Sequence, residues 1–185
     1  HILRSALAAA RGWEDLSYVS VNLSPVQFRL DNLVSKVTAA LAKAELPANR
    51  LQLEVTESVL VDDCPAAKRQ IEALLKIGVR VALDDFGTGY SSLNYLAELP
   101  FTKVKIDRSF VKELRKDHRR HAIIRHIVAL ARGLDMSVTA EGVETEDDAV
   151  LLSAAGCTSL QGFYFGAAMP ASEISKRLNA ERSAA

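Results

Sequence analysis

Apolar and polar positions follow two alternating patterns along this chain. Short stretches in which every second residue is apolar lie between longer ones in which apolar residues return every three or four positions. The first pattern is typical of β-strands and the second of amphipathic α-helices. Strands are predicted at 16–24, 51–58, 79–85, 101–108, 137–144 and 159–165. Because a helix separates each strand from the next, we expect parallel strands joined by right-handed crossovers.

The helical stretches carry their own start and stop signals. Helices are predicted at 1–14, 33–45, before Gly78, at 91–98, at 119–132, before Gly156 and after Pro170. Acidic or hydroxyl side chains precede several of them as candidate N-terminal caps, namely Asp62 or Asp63, Asp117 and Thr145. Within 119–132, the residues predicted to face the core are Ile123, Ile127, Leu130 and Ala131. Residues 181–185 are expected to fray.

The repeating strand and helix units favour a TIM-type (β/α)8 barrel, an α/β fold. No glycine-rich nucleotide-binding loop follows any predicted strand. A complete barrel needs eight strands and about 250 residues, whereas this chain has 185 residues. We therefore predict an incomplete barrel of six strand–helix units whose first two strands are missing. His1 begins within a helical pattern, so residues 1–185 are expected to be one partial domain of a longer protein.

Composition excludes some kinds of partner. Lys plus Arg equals Asp plus Glu at 23 each, which gives no general attraction to DNA, RNA or an anionic membrane. Cys64 and Cys157 match neither a zinc spacing nor a disulfide framework and fit a reducing compartment. No stretch is long and apolar enough to span a bilayer, and no signal peptide is visible. We expect a cytoplasmic protein, or the cytoplasmic domain of a larger, membrane-anchored one.

Two adjacent carboxylates end the third predicted strand. Asp84 and Asp85 follow the apolar residues 81–83 and precede a glycine-rich turn. Neighbouring acids repel each other and lose hydration when they are partly buried, and a hard cation such as Mg²⁺ or Mn²⁺ would relieve both costs. For this dipeptide alone, a solvated turn that caps the next helix is the more ordinary interpretation.

Other predicted strands end in the same way. The polar residues at these ends are Asn22, Glu54, Asp84, Asp85, Lys105, Glu141, Glu144 and Gln161. Each has an ordinary explanation by itself: Lys105 could extend along a barrel edge, and Glu141 could precede a helix N-terminus. In a (β/α)8 barrel, however, all of these ends meet at the active-site face. Together they predict a divalent-metal site, and two metal ions are a common means of hydrolysing phosphodiesters.

Six strings of residues stand at or near the ends of the predicted strands. They are SVNLS at 20–24, LEVTES at 53–58, LDDFGTGYSS at 83–92, KIDRSF at 105–110, AEGVET at 140–145 and QG at 161–162. Together and in this order, they closely resemble the EAL domain family of bacterial cyclic di-GMP phosphodiesterases. The resemblance implies that cyclic di-GMP is the partner molecule and that linear pGpG is the product. It also implies Mg²⁺ or Mn²⁺ as cofactor, with two ions bound, a homodimer, and fused sensor or cyclase-like domains in the parent protein.

The same resemblance implies a role for each matching residue. The implied metal ligands are Asn22, Glu54, Asp84, Asp85 and Glu141. Lys105 positions the nucleophilic water, and Glu141 is either a ligand or the base that activates this water. Glu144 is expected to support the catalytic groups, and Gln161 and Arg108 to contact the bound ligand. Glu57 anchors the loop at 86–92, which links metal binding to the dimer interface.

One family feature is missing from this sequence. No Glu-Ala-Leu motif precedes Asn22, and in the family that motif supplies a metal-binding glutamate and a following arginine that contacts phosphate. The parent protein is therefore expected to be an active phosphodiesterase and this chain alone to be weakly active or inactive. Two alternatives are a catalytically degenerate cyclic di-GMP receptor and a protein-interaction module that has lost ligand binding.

Overall fold

Six parallel strands form a single sheet in the residues that a computed structural model describes, which are 1–13, 18–59, 64–88, 93–112, 114 and 117–184. The strands are β1 Val19–Leu23, β2 Leu51–Thr56, β3 Arg80–Phe86, β4 Lys103–Ile106, β5 Ser137–Ala140 and β6 Ser159–Leu160. Each pairs with the next one along the chain, so their spatial order equals their sequence order. The predicted parallel strand and helix alternation is confirmed.

Helices connect these strands. They are α1 Ile2–Ala10, α2 Pro25–Phe28, α3 Leu33–Ala44, α4 Cys64–Lys76, α5 Leu93–Glu98, α6 Arg108–Val111, α7 His118–Gly133, α8 Glu146–Ala155 and α9 Ala171–Ala184. Two predicted caps are confirmed: the Asp117 side chain accepts from the Arg119 backbone N–H at 2.8 Å, and Thr145 forms a capping box with Asp148. Within the described ranges, no helix is both long and apolar enough to cross a membrane.

The sheet curls until both of its edges approach one interior side chain. Lys103 Nζ on β4 donates to Tyr18 Oη, which precedes β1, at 2.6 Å and to Ser159 Oγ on β6 at 3.5 Å. Because β1 and β6 lie at opposite edges of the sheet, a single ammonium can reach both only if the sheet is strongly bent. The prediction of an incomplete TIM-type barrel is confirmed.

The two faces of the sheet differ in polarity. On one face, residues such as Leu53, Val81 and Val104 are fully buried and join the core formed with the helices. The concave face carries polar side chains that are buried too, namely Gln52, Glu54, Lys103, Lys105 and Thr139. Parallel strands are usually apolar on both faces. Buried polar groups destabilise a fold unless they are paired. The hydrogen bonds and ion pairs among these side chains therefore indicate where a functional site lies.

Five strands end before the sequence predicts. Regular pairing stops at Leu23 in β1, at Thr56 in β2, at Ile106 in β4, at Ala140 in β5 and at Leu160 in β6. Beyond these ends the backbone makes other contacts. Asp107, for example, caps α6 by accepting from the Ser109 N–H at 2.9 Å.

Some helix predictions were also wrong. The first helix ends at Ala10 and not at residue 14. In α7, Ala131 is buried and Ile127 and Leu130 pack against the core as predicted. Ile123 is 43% exposed, however, and Ile124 and Val128 complete the buried face. The last helix continues through Ala184 and is not frayed from residue 181. The predicted caps Asp62 and Asp63, the start of the first strand at 16–17 and the start of the fifth helix at 91–92 lie outside the described residues.

Candidate active site

Lys105 is the centre of a buried ion-pair cluster on the concave face. Its Nζ lies 2.6 Å from Glu54 Oε2, 2.9 Å from Asp84 Oδ1 and 2.6 Å from Glu141 Oε1. Only 5% of the Lys105 side chain is exposed. The three carboxylates come from β2, from β3 and from the residue that follows β5, so four neighbouring strands deliver side chains to one point.

Strand register explains why these residues meet. Lys105 on β4 pairs with Thr139 on β5, so Glu141 lies two residues further along the same face of the sheet. The Glu141 backbone N–H donates to the Ile106 carbonyl at 3.0 Å, which fixes the first residue beyond the strand. The carboxyl ends of parallel strands share one rim, and the cluster lies at that rim.

An irregularity in β3 brings the two adjacent aspartates together. In a regular strand, successive side chains point to opposite faces. Here the register with β4 shifts between Leu83 and Phe86, and Asp85 adopts a left-handed conformation with φ of 54°. Its N–H donates to Asp84 Oδ1 at 3.0 Å. As a result, carboxylate oxygens of Asp84, Asp85 and Glu141 all lie within 4.8 Å of one another, close enough to hold one metal ion.

The cluster holds more negative charge than one lysine can balance. Burial by itself would lower the pKa of Lys105, but its hydrogen bonds to Glu141, Glu54 and Asp84 outweigh this effect and raise the pKa above its ordinary value. Burial raises the pKa of Glu141, with Asp84 and Glu54 adding to the effect and Lys105 opposing it. The pKa of Asp85 is also raised, by burial and by the neighbouring charge of Asp84. A divalent cation would relieve this repulsion.

Two further predicted residues lie next to the cluster. Asn22 is exposed near the end of β1 and pairs in register with Glu54 on β2. Glu57 follows β2, and its Oε1 accepts from the Gly87 N–H at 3.0 Å, so it contacts the turn that follows Asp85. Gly87 has φ of 95°, and a Cβ there would lie 2.5 Å from the Phe110 ring. Residues 89–92 of the predicted loop lie outside the described residues.

The remaining predicted residues are exposed around the rim. Glu144, Gln161 and Arg108 all lie outside the ion-pair cluster. The backbone of Gln161 accepts from Val143 N–H at 3.0 Å, and a Cβ on Gly142 would lie 2.5 Å from Arg108 Cβ. Both residues therefore border the turn that begins at Glu141.

Sequence reasoning missed two interior side chains below the rim, Gln52 and Lys103. Both are buried, at 2% and 6% exposure, and each lies two residues before a predicted site residue on the same face of its strand. The alternation of the strands carried this signal, since residues i and i+2 share a face.

Comparison with known proteins identifies the family. The EAL domain family matches residues 1–168. The chain belongs to the EAL domain family. Protein y4lL of Sinorhizobium fredii is 46% identical over 93% of this chain, and MucR of Pseudomonas aeruginosa, a bifunctional diguanylate cyclase/cyclic di-GMP phosphodiesterase, is 45% identical over 94%. The present chain spans only 21% of the length of y4lL and 26% of the length of MucR.

Solved structures share its fold. The structure of the PaMucR phosphodiesterase in complex with c-di-GMP has a TM-score of 0.87 and 45% identity, and the match covers 94% of this chain and 72% of that one. A manganese and cy-diGMP complex of BlrP1 from Klebsiella pneumoniae has a TM-score of 0.79 and 29% identity, covering 86% of this chain and 41% of that one.

Proposed function

We propose that this EAL domain is the catalytic part of a metal-dependent phosphodiesterase that hydrolyses cyclic di-GMP to linear pGpG. The observation that carries the proposal is the position of Lys105 within 2.9 Å of Glu54, Asp84 and Glu141, with the Asp85 carboxylate beside them. The resemblance to MucR and to the PaMucR complex supports the choice of substrate.

The residues of the cluster fit a divalent metal. Carboxylate and amide oxygens are the ligands that Mg²⁺ and Mn²⁺ prefer. Burial, together with neighbouring carboxylates, raises the pKa of Glu141 and of Asp85, so a bound cation would stabilise their charged forms. The proposed ligands are Asn22, Glu54, Asp84, Asp85 and Glu141. When bound, two such ions would stabilise charge on the phosphate and favour formation of a hydroxide nucleophile. The manganese in the BlrP1 complex supports this assignment.

Lys105 and Glu141 are the groups proposed to act on the attacking water. In the reaction, the water oxygen forms a bond to phosphorus, one phosphorus–oxygen ester bond breaks, and the leaving oxygen takes up a proton. An ammonium has three N–H donors, and all three of Lys105 are engaged by carboxylates. Lys105 can therefore orient the water only after one carboxylate releases it. Glu141 is the most exposed of the three carboxylates and is proposed to accept the proton that the water loses.

Two rim residues are proposed to bind the nucleotide. Arg108 offers a cation for a phosphate oxygen, and Gln161 offers a polar group beside the turn at 141–144. Glu144, which lies in that turn, is proposed to support the catalytic groups. Glu57 is proposed to hold the turn after β3 through its contact with Gly87. A homodimer and fused sensor or cyclase-like domains are part of the same proposal.

A direct assay tests this function. The longest form of the protein that its gene encodes is incubated with cyclic di-GMP and Mg²⁺ or Mn²⁺, and the products are separated by chromatography. We expect linear pGpG in the presence of either metal and none in EDTA. Tight binding of cyclic di-GMP with no product in the presence of either metal would contradict the proposed phosphodiesterase activity and favour the receptor alternative.

A further inference from the structure

Gln52 lies one layer below the ion-pair cluster, inside the curled sheet. It is on β2, two residues before Glu54, and is only 2% exposed. Its Nε2 donates to Glu54 Oε1 at 3.0 Å and to Ser20 Oγ, on β1, at 3.0 Å. A primary amide nitrogen has two N–H donors, so both are used in these contacts.

The chemistry of the contact fixes the orientation of the amide. An ionised carboxylate accepts hydrogen bonds and cannot donate them. The nitrogen of Gln52, and not its oxygen, must therefore face Glu54. Ser20 holds the same nitrogen from the neighbouring strand, so the amide is anchored from a point outside the cluster.

The contact determines where the second oxygen of Glu54 points. Gln52 holds Oε1, and Lys105 lies 2.6 Å from Oε2. Each oxygen of Glu54 thus has one protein donor, and a carboxylate oxygen can accept more than one bond. The side chain is ordered in advance with lone pairs still available to a cation, and ordering a long buried side chain otherwise costs conformational entropy when the ligand binds.

We propose that Gln52 is a positioning residue that orients Glu54 for binding a divalent metal ion. This inference rests on the proposed metal-dependent function, and it assigns to Gln52 the outer-layer role that hydrogen-bond partners of metal ligands commonly have. Gln52 does not touch the substrate or the metal, and its effect is transmitted through the Glu54 carboxylate.

Substitution of Gln52 tests the idea through metal affinity. Gln52→Met keeps the length of the side chain and removes both donors. We expect the affinity for Mn²⁺, measured by calorimetry without nucleotide, to fall by about 10-fold or more. Gln70→Met is the matched control, because Gln70 Nε2 also makes two hydrogen bonds, to the Phe28 and Leu30 carbonyls at 2.7 and 3.1 Å, but lies away from the cluster. Gln70→Met should leave Mn²⁺ affinity unchanged.

A double-variant cycle separates positioning from general damage to the fold. If Gln52 acts through Glu54, then adding Gln52→Met to a Glu54→Met protein should change Mn²⁺ affinity by less than about twofold. The same 10-fold loss in both backgrounds, or no loss in the wild-type background, would overturn the proposal.

The same four proteins are also compared without metal, by thermal unfolding in EDTA. Gln52→Met should lower the unfolding midpoint more in the wild-type background than in the Glu54→Met background. Equal shifts in the two backgrounds would overturn the claim that Gln52 holds Glu54. Failure of the unmodified protein to bind Mn²⁺ would overturn the proposed metal centre. The EDTA cycle would then still decide whether Gln52 holds Glu54.

Discussion

Lys105 Nζ and Glu141 Oε1 lie 2.6 Å apart, and this contact joins β4 to the turn that follows β5. Glu141 is the carboxylate that is most exposed among the three partners of the lysine. It lies between the buried interior of the curled sheet and the rim where a substrate would arrive. We expect the contact between Lys105 and Glu141 to affect both the stability of the metal-free domain and the proposed hydrolysis.

Lys105→Met should slow hydrolysis and destabilise the metal-free protein. The substitution leaves Glu54, Asp84 and Glu141 without their shared cation, and loss of one partner of a buried ion pair costs about 3–5 kcal/mol. Because Lys105 is proposed to orient the attacking water, and misplacing a reacting group costs about 10²-fold in rate, we expect a loss of rate of at least this size. Initial rates and urea unfolding in EDTA measure the two effects.

Lys103→Met provides the control for this lysine. Lys103 lies on the same face of β4 and is similarly buried. Among the described residues, its Nζ contacts the hydroxyls of Tyr18 and Ser159 and no acid. It should lose stability while it keeps hydrolysis. Similar losses of rate in the two variants would show that Lys105 has no special role.

The metal-free protein should lose stability as the pH rises above 4.5, the ordinary pKa of a glutamate. Because the folded protein raises the pKa of Glu141, folding favours the protonated form, and stability falls as pH rises through the folded pKa. Lys105 does not contribute to this fall. Its pKa is raised, so its contribution is complete below 10.5 and is lost only at higher pH.

Glu141→Gln checks the origin of this pH dependence. Thermal unfolding in EDTA from pH 4.5 to 7 should show a shallower decline for the variant than for the unmodified protein. The variant should also bind Mn²⁺ more weakly, because it lacks one proposed ligand. Parallel stability curves for the two proteins would exclude Glu141 as the titrating group.

Gly87→Ala should destabilise the turn after β3 by about 1–3 kcal/mol, because its φ of 95° is strained for alanine. The added methyl would also lie 2.5 Å from Phe110 and disturb the contact with Glu57. Gly133→Ala is the control, since no atom of the described residues lies within 4 Å of its Cβ position in α7. It should be neutral or stabilise the protein by less than about 1 kcal/mol. Chemical unfolding of both variants checks the difference, and equal stabilities would contradict it.

Ile124→Ala should cost about 2–5 kcal/mol, because Ile124 is fully buried in the core. Ile123→Ala should cost less than about 1 kcal/mol, since Ile123 is 43% exposed. Urea unfolding of the two variants measures the contrast. The reverse order would mean that α7 is rotated by one residue relative to the structure.

The sequence predicted the strand order and the gathering of acids because both depend on local patterns. Period-two alternation identified β2, a short apolar run identified β3, and parallel connections placed their ends at one rim. The sequence did not predict the left-handed conformation of Asp85, because a bulge depends on the register of β3 with β4 and not on residues 84–85 alone. Ile123 was wrongly predicted to be buried for a similar reason. The helical periodicity shows which residues share a face, but the packing of the helix on the sheet decides which of two adjacent isoleucines is buried.

The most direct test of the metal site is anomalous diffraction from crystals of the protein grown with Mn²⁺. We predict two manganese peaks bounded by Glu54, Asp84, Asp85, Glu141 and Asn22, with Lys105 beside them. A clear map with no manganese among these side chains, or with manganese bound only elsewhere on the protein, would contradict the account.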